Sequence, residues 1–418
     1  MRTRTRTLCT LSFLWLLAAG RPVLASDLAL VGAKVYLSPT DPPLENATVL
    51  IHDGRITTVG PSATTKPPRF ARAVTVIECH GMIVTAGFWN SHVHIFTPGL
   101  LHAEKLSAAE LSAQLEAMLT RWGFTSVFDI ASLLENTESI RHRIASGEIL
   151  GPRLLTVGEP FYPRGGVPVY IRGFLEENHI SLPEDGSPEQ AAERVRSQIS
   201  HGADGVKIFA GSIQSASVLV MPLDLATAIV AEAHHAGKAV FAHPSNTEGI
   251  ELALRSGVDI LAHTTPMGGP WSADLVQRIK AANMALIPTL TLFEVEAKKF
   301  GESAEDAAND MRAASQQLKA YSDAGGQILF GTDVGYTEHF DTTEEFTLMS
   351  RAGLSYQQIL ASLTSNPAER FGFARCGRVA KGMDADLVVL SADPAQDVTA
   401  FSKVVYTIRA GKIIFGKR

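Results

Sequence analysis

The sequence predicts an α/β protein in which parallel strand–helix units fill the middle of the chain and β-rich segments occupy both ends. Three observations carry this reading. Between about residues 83 and 372, short apolar strands alternate with helical patterns, which is the mark of parallel βα units. Eight strand candidates fit in that span, and eight units suit a closed (β/α)8, TIM-like barrel better than an open doubly wound sheet. Residues 26–82 and 373–418 share a different texture of strands and tight turns, so they are expected to form one small β-sandwich domain built from both termini.

At the N-terminus, Arg2, Arg4 and Arg6 precede an apolar run from Leu8 to Ala19, and Val23-Leu24-Ala25 offers small residues for cleavage. That is the pattern of a secretory signal peptide over residues 1–25; the apolar run is too short to span a bilayer comfortably. The mature protein is therefore expected to be secreted or periplasmic, with no membrane segment after cleavage. The chain of 418 residues has 37 Lys and Arg against 43 Asp and Glu, so nothing basic invites nucleic acid. Once Cys9 leaves with the signal, Cys79 and Cys376 remain. They allow one disulfide at most and exclude a zinc site built on cysteine.

In the first β segment, Leu28–Val31, Val35-Tyr36, Ala47–Ile51 and Ile56–Val59 are β-rich, with Asp53-Gly54 marking a hairpin between the last two. In the last segment Asp386–Leu390, Val404–Ile408 and Lys412–Phe415 are expected strands, with Ala410-Gly411 at a turn. The eight strands of the middle are expected at 83–88, Ser126–Ile130, Arg153–Val157, Val206–Phe209, Ala239–Ala242, Ile260–Ala262, Ala285–Ile287 and Ile328–Phe330. Ser187-Pro188, Thr247-Glu248 and Ser272-Ala273 open helices between them, and Gly257 closes the second. The acidic, Ala-rich run from Glu302 to Asp323 reads as a solvated helix face. No Gly-x-Gly-x-x-Gly or Gly-Lys-Ser/Thr loop follows a strand, so nucleotide-binding folds lose support.

Barrel enzymes keep their chemistry at the C-terminal ends of strands. There the chain offers Ser91-His92-Val93-His94, Lys207 within Gly205-Val206-Lys207-Ile208-Phe209, Ala242-His243, Ala262-His263 and Gly331-Thr332-Asp333. In an extended strand the two imidazoles of His-x-His share one face. A lone histidine at a strand end is ordinarily structural; four histidines and an aspartate converging on one mouth are not so easily explained. Lys207 is the one charged residue of a strand that reads as buried. A buried ammonium must be paired, here by Asp204 or Asp333, or lose its proton. As a neutral amine it can take up carbon dioxide as a carbamate, and a bridging carboxylate suits two cations.

These residues, with Gly81–His94, Gly202–Ile208, Gly331–Asp333 and Gly382–Val388, resemble the metal-dependent amidohydrolase superfamily, in particular its imidazolonepropionase-like and prolidase-like branch. The resemblance covers essentially everything after the signal. It implies two divalent ions, zinc by default. His92, His94 and Asp333 would hold the more buried ion and His243 and His263 the more exposed one. Carboxylated Lys207 would bridge them, and Asp333 would also serve as the catalytic proton carrier. It implies hydrolysis of a carbon–nitrogen bond in a small amide, peptide or cyclic amide by metal-activated hydroxide. A lactone or phosphotriester hydrolase on the same site, or a non-catalytic scaffold, are the competing readings. Tyr162, Arg164, Tyr336 and His339 are the candidate substrate contacts, Arg164 because a guanidinium suits a carboxylate. A homo-oligomer is left open by the sequence.

Overall fold

The computed structural model describes residues 27–67, 74–215 and 217–417; the signal peptide expected over 1–25 lies outside them. Among the described residues no helix is long and apolar enough to cross a membrane. The architecture is α/β, with parallel strands through the middle of the chain.

Both ends of the chain meet in a single hydrogen-bonded sheet of eight strands. Leu28–Val35, Leu44–His52 and Arg55–Pro61 form an antiparallel meander, and Leu387–Leu390, Val404–Arg409 and Lys412–Phe415 form a second. Ile83–Ala86 joins the two, antiparallel to Leu387–Leu390 on one side and parallel to the end of Leu28–Val35 on the other. Leu28–Val35 changes partner part-way: its first half pairs with Thr75–Glu78, and bulges after Val31 turn its second half toward Ile83 and Val84. Both hairpins that the sequence marks are present. Asp53-Gly54 and Ala410-Gly411 all have positive φ, the mirror-image turn that matches the twist of paired strands. Leu30, Val35, Val49, Val84, Leu387, Val389 and Ile408 form the core of this sheet.

The strand expected over 83–88 is two strands. Ile83–Ala86 belongs to the terminal sheet, and the first parallel strand is Phe88–Val93. The break falls at Gly87, where a Cβ would collide with the Thr125 side chain. Phe88–Val93 pairs with Phe124–Asp129, which pairs with Arg153–Thr156. A second parallel group runs Gly205–Phe209, Ala239–His243, Ile260–Leu261, Ala285–Leu286. Single backbone links join the two groups. Asp204 N–H donates to Thr156 O at 2.6 Å, and Phe161 N–H to Lys207 O at 2.8 Å. On the other side Leu329 N–H donates to Leu286 O at 2.9 Å and Ser91 N–H to Phe330 O at 2.7 Å. The eighth expected strand, Ile328–Phe330, is present only as a bridge from Ile328 to Leu286.

Period-two alternation divides the parallel strands. Phe128, Ile130, Leu155, Val157, Phe241, Ile260, Ala262, Ala285 and Ile287 pack together on one face, closed off by Phe371 and Phe373. Val127, Leu154, Val206, Ile208, Val240 and Leu286 face the helices. Lys207 lies between Val206 and Ile208, so it shares the first face.

The helices begin largely where sequence places them. Ser187 caps Pro188–Ser200 and Ser272 caps Ala273–Ala281, each accepting from a backbone N–H three residues on. Thr247–Ser256 is capped one residue earlier than expected, by Asn246, and ends at Gly257 with φ 84°. The acidic run forms the helix Ala304–Asp323, whose inner face buries Ala313, Ala314, Gln317, Leu318 and Tyr321. That face is not wholly solvated because Gln317 reaches across to the loop after His263. It accepts from Thr265 N–H at 2.7 Å and donates to Thr265 O at 2.8 Å. Cys79 and Cys376 are free thiols.

Candidate metal centre

The C-terminal ends of the parallel strands bring the expected residues to one place. Phe88–Val93 slips register between Asn90 and Val93, and beyond the slip His92 and His94 point the same way. Their Nε2 atoms are 3.2 Å apart, and Asp333 Oδ1 lies 3.1 Å from the first and 2.7 Å from the second. Asp333 has φ 59°, a left-handed conformation that is uncommon for a non-glycine residue. A tight turn fixes it, with Tyr336 and Thr337 N–H donating to Asp333 O. Gly335 inside this turn has φ 104°, and a Cβ there would run into His94 O.

Two further histidines complete the cluster. His263 Nε2 is 3.9 Å from Asp333 Oδ2, and the His263 ring centroid is 4.6 Å from those of both His92 and His243. His243 stacks on Phe209 at 4.7 Å. Lys207, 1% exposed, lies 5.7 Å from the same ring of Phe209. Neither pairing considered for it forms. Asp204 is taken by Arg141 at 3.0 Å, and Lys207 makes no ion pair with Asp333 among the described residues.

The electrostatics favour the ligating forms. Burial pushes the His92 imidazole down to about 3, against the pull of Asp333. Burial likewise holds His243 and His263 well below the usual histidine range. Burial raises the Asp333 carboxyl, but His92 and His94 outweigh it and hold the group well below the usual carboxylate range. Burial brings Lys207 down to about 7, Asp333 opposing, so about half of it is neutral near pH 7.

The donor set fits a cation. His94 Nδ1 lies 2.9 Å from Ala131 O; a carbonyl only accepts, so Nδ1 carries a proton and Nε2 is the nitrogen turned toward Asp333. Asp333 Oδ1 is buried and receives no hydrogen bond despite two imidazole nitrogens beside it. Two imidazole nitrogens and a carboxylate oxygen, the donor types that zinc takes, thus converge in a buried place. Two of their spacings, 3.2 and 3.1 Å, are close to the about 3.3 Å edge of a tetrahedron with zinc–nitrogen bonds of about 2.0–2.1 Å; the third, 2.7 Å, is shorter. Among the described residues His92, His94 and Asp333 form a group whose ligand atoms all lie within 4.8 Å of one another.

The substrate candidates divide. Tyr162, 1% exposed, packs its ring 4.6 Å from Phe209 and so leads toward His243. Tyr336 donates its hydroxyl to Glu296 at 3.0 Å and meets Tyr170 edge-on. Arg164 instead lines a separate cavity of about 400 Å³ with Asp185, Ser187 and Pro188, which contains none of the metal-site residues. His339 is exposed. Sequence reasoning missed Asp129, at the exit of the second parallel strand. Its buried carboxylate accepts from Ile95 N–H, Thr137 Oγ1 and Thr156 Oγ1 at 3.1, 3.0 and 2.9 Å and from Ser132, fixing the backbone next to His94. The signal was available: Asp129 is the one charge in an apolar strand, as Lys207 is.

The amidohydrolase family model matches residues 83–414. The chain belongs to the amidohydrolase family. Ochratoxinase of Aspergillus niger is 24% identical over 432 residues, covering 94% of this chain and 87% of that protein. A dihydroorotase of Streptococcus thermophilus is 24% identical over 81% of this chain and 90% of its own length. A prolidase structure, solved with N-methylphosphonate-L-proline, superposes with a TM-score of 0.77 at 25% identity, covering 94% of this chain and all of that one. A Xaa-Pro dipeptidase with bound methionine gives 0.80 at 21% identity with the same coverage. This amidohydrolase is thus an enzyme of the metal-dependent superfamily, on its prolidase-like branch.

Proposed function

We propose that the amidohydrolase is an exported binuclear metal-dependent hydrolase that opens a carbon–nitrogen bond in a small amide, dipeptide or cyclic amide. The observation that carries this is the meeting of His92 Nε2, His94 Nε2 and the buried, ionised Asp333 Oδ1. Export rests on the charged and apolar pattern of residues 1–25. The fold reading follows the same line. The backbone links from Thr156 to Asp204, from Leu286 to Leu329 and from Ser91 to Phe330 support eight strands closed into a barrel. The bulged Leu28–Val35 lets the terminal sheet fold over its core as a sandwich.

In this reading His92, His94 and Asp333 would hold one ion and His243 and His263 the second. Lys207 would contribute a carboxylate as its carbamate: its neutral amine would add to carbon dioxide, forming the nitrogen–carbon bond with loss of one proton. Zinc is the ion favoured by this donor set. When bound, such ions polarise a carbonyl oxygen and acidify water. The protein's own part is then proton handling. Asp333, ionised and held rigidly by its turn, accepts a proton from the attacking water and delivers it to the departing nitrogen. Amines are poor leaving groups unless protonated, so this delivery completes cleavage. Tyr162 and Tyr336 line the approach, their apolar faces excluding water from the scissile bond. The ochratoxinase and prolidase names of the relatives support an amide substrate.

The test is metal analysis of purified protein refolded with zinc and bicarbonate, followed by panels of amides, lactones and phosphoesters. Two ions per chain and turnover confined to amides support the reading. Absence of bound metal, or turnover of lactones or phosphoesters only, overturns it.

A further inference from the structure

The helix Leu290–Phe300 starts abnormally. Among the described residues six α-helices are capped by the side chain at their own N-cap: Ser107, Ser187, Asn246, Ser272, Ser303 and Ser355. Thr289 occupies the same position before Leu290 and is a residue type that caps well, yet it makes no capping bond. Its backbone is left-handed, φ 47° and ψ 51°, an outlier for a β-branched residue that persists only when its surroundings enforce it. Its hydroxyl lies instead 2.8 Å from His263 Nδ1.

The missing cap comes from a different helix. Glu345, in the first turn of Thr343–Arg351 and 1% exposed, accepts from Leu290 N–H at 2.9 Å, Thr291 N–H at 2.7 Å and Thr291 Oγ1 at 2.8 Å. No cation pairs with it among the described residues. A buried carboxylate without a counter-ion is expensive for a task that a serine at 289 would perform. What the arrangement gains is the Thr289 hydroxyl. An imidazole that ligates through one nitrogen needs an oriented partner on the other, which fixes tautomer and ring angle.

We propose that Glu345 is a positioning residue for His263: by capping the helix from outside, it frees Thr289 Oγ1 to accept from Nδ1–H, leaving the His263 Nε2 lone pair facing Asp333. The inference rests on the reading of His263 as a metal ligand, and the experiment separates the two.

Protein labelled with ¹⁵N-histidine is compared as wild type, Glu345→Gln, Thr289→Val and Thr289→Ser. In the metal-free state wild type and Thr289→Ser show a single His263 tautomer with the proton on Nδ1. Glu345→Gln and Thr289→Val show a mixture. In zinc titrations both lose about 10- to 100-fold in affinity for the more weakly held ion, and the double variant is no worse than either single one, because both act through one hydrogen bond. If Glu345→Gln fails to fold, Glu345→Asp, which keeps the charge but shortens the reach, carries the same expectation. A Glu345 variant with a lowered Tm but a wild-type tautomer and ion affinity overturns the proposal, since capping is then its whole role. A wild-type chain that binds one ion only defeats the binuclear reading, while the tautomer comparison still decides the role of Glu345.

Discussion

Replacing Lys207 by methionine exchanges the buried ammonium for an apolar chain of similar length, and the consequence for stability has a definite sign. Burial lowers Lys207 from 10.5 to about 7, a differential of about 5 kcal/mol at about 1.4 kcal/mol per pKa unit, which sets the ceiling. Below pH 7 folded and unfolded chains both carry the proton, and the burial penalty is paid in full. Between about pH 7 and 10.5 the folded chain sheds its proton first, so wild-type stability climbs through that window and levels off above it. Lys207→Met has no such proton to lose. Chelator-stripped protein in bicarbonate-free buffer is unfolded with urea at pH 7 and pH 9.5. Wild type should gain several kcal/mol on Lys207→Met between the two. Adding bicarbonate to zinc-loaded protein near pH 8 should stabilise wild type further and leave Lys207→Met unchanged. Parallel stabilities of the two proteins across the window would refute a buried, depressed Lys207.

Three other substitutions probe the site. Asp333→Asn keeps the shape of the side chain but cannot carry the proton, and should lower kcat by at least about 100-fold, measured on whichever amide the panel identifies. Asp129→Asn presents an amide where four donors expect an acceptor, and should cost about 3 kcal/mol in urea unfolding. Gly335→Ala drives a methyl into His94 O from a backbone at φ 104° and should lower zinc content at His92, His94 and Asp333, read by elemental analysis.

Much of the site was legible because burial and charge conflict there. His92, His94, His243, His263 and Asp333 stand at strand exits whose position follows from apolar runs, and Lys207 interrupts such a run; each breaks a local pattern. Thr289 and Glu345 break none. Their roles depend on a left-handed backbone and on two helices meeting, and neither leaves a trace in spacing. Arg164 shows the opposite error. A cation in the loop after the third parallel strand satisfies a chemical expectation, but the turn of the loop decides where it points. In the fold, strand alternation located the parallel units, while the crossing from one sheet to the other at Gly87 was hidden because residues 83–88 carry no charge and no proline and read as one strand.

The terminal sheet has a consequence for biogenesis. Ile83–Ala86 pairs with Leu387–Leu390, and the two hairpin tips touch, a Cβ on Gly54 falling 2.9 Å from Ala410 O. These partners are separated by roughly 300 residues, so closing them carries the slow, long-loop character of non-local pairing. As the chain is synthesised, Ile83–Ala86, already beside the meander from Leu28 to Pro61, waits with an open edge until the last strands arrive. A chain truncated before Leu387 would keep every proposed metal ligand and still present that unpaired edge to its neighbours. Its fate would then be self-association rather than a smaller working enzyme.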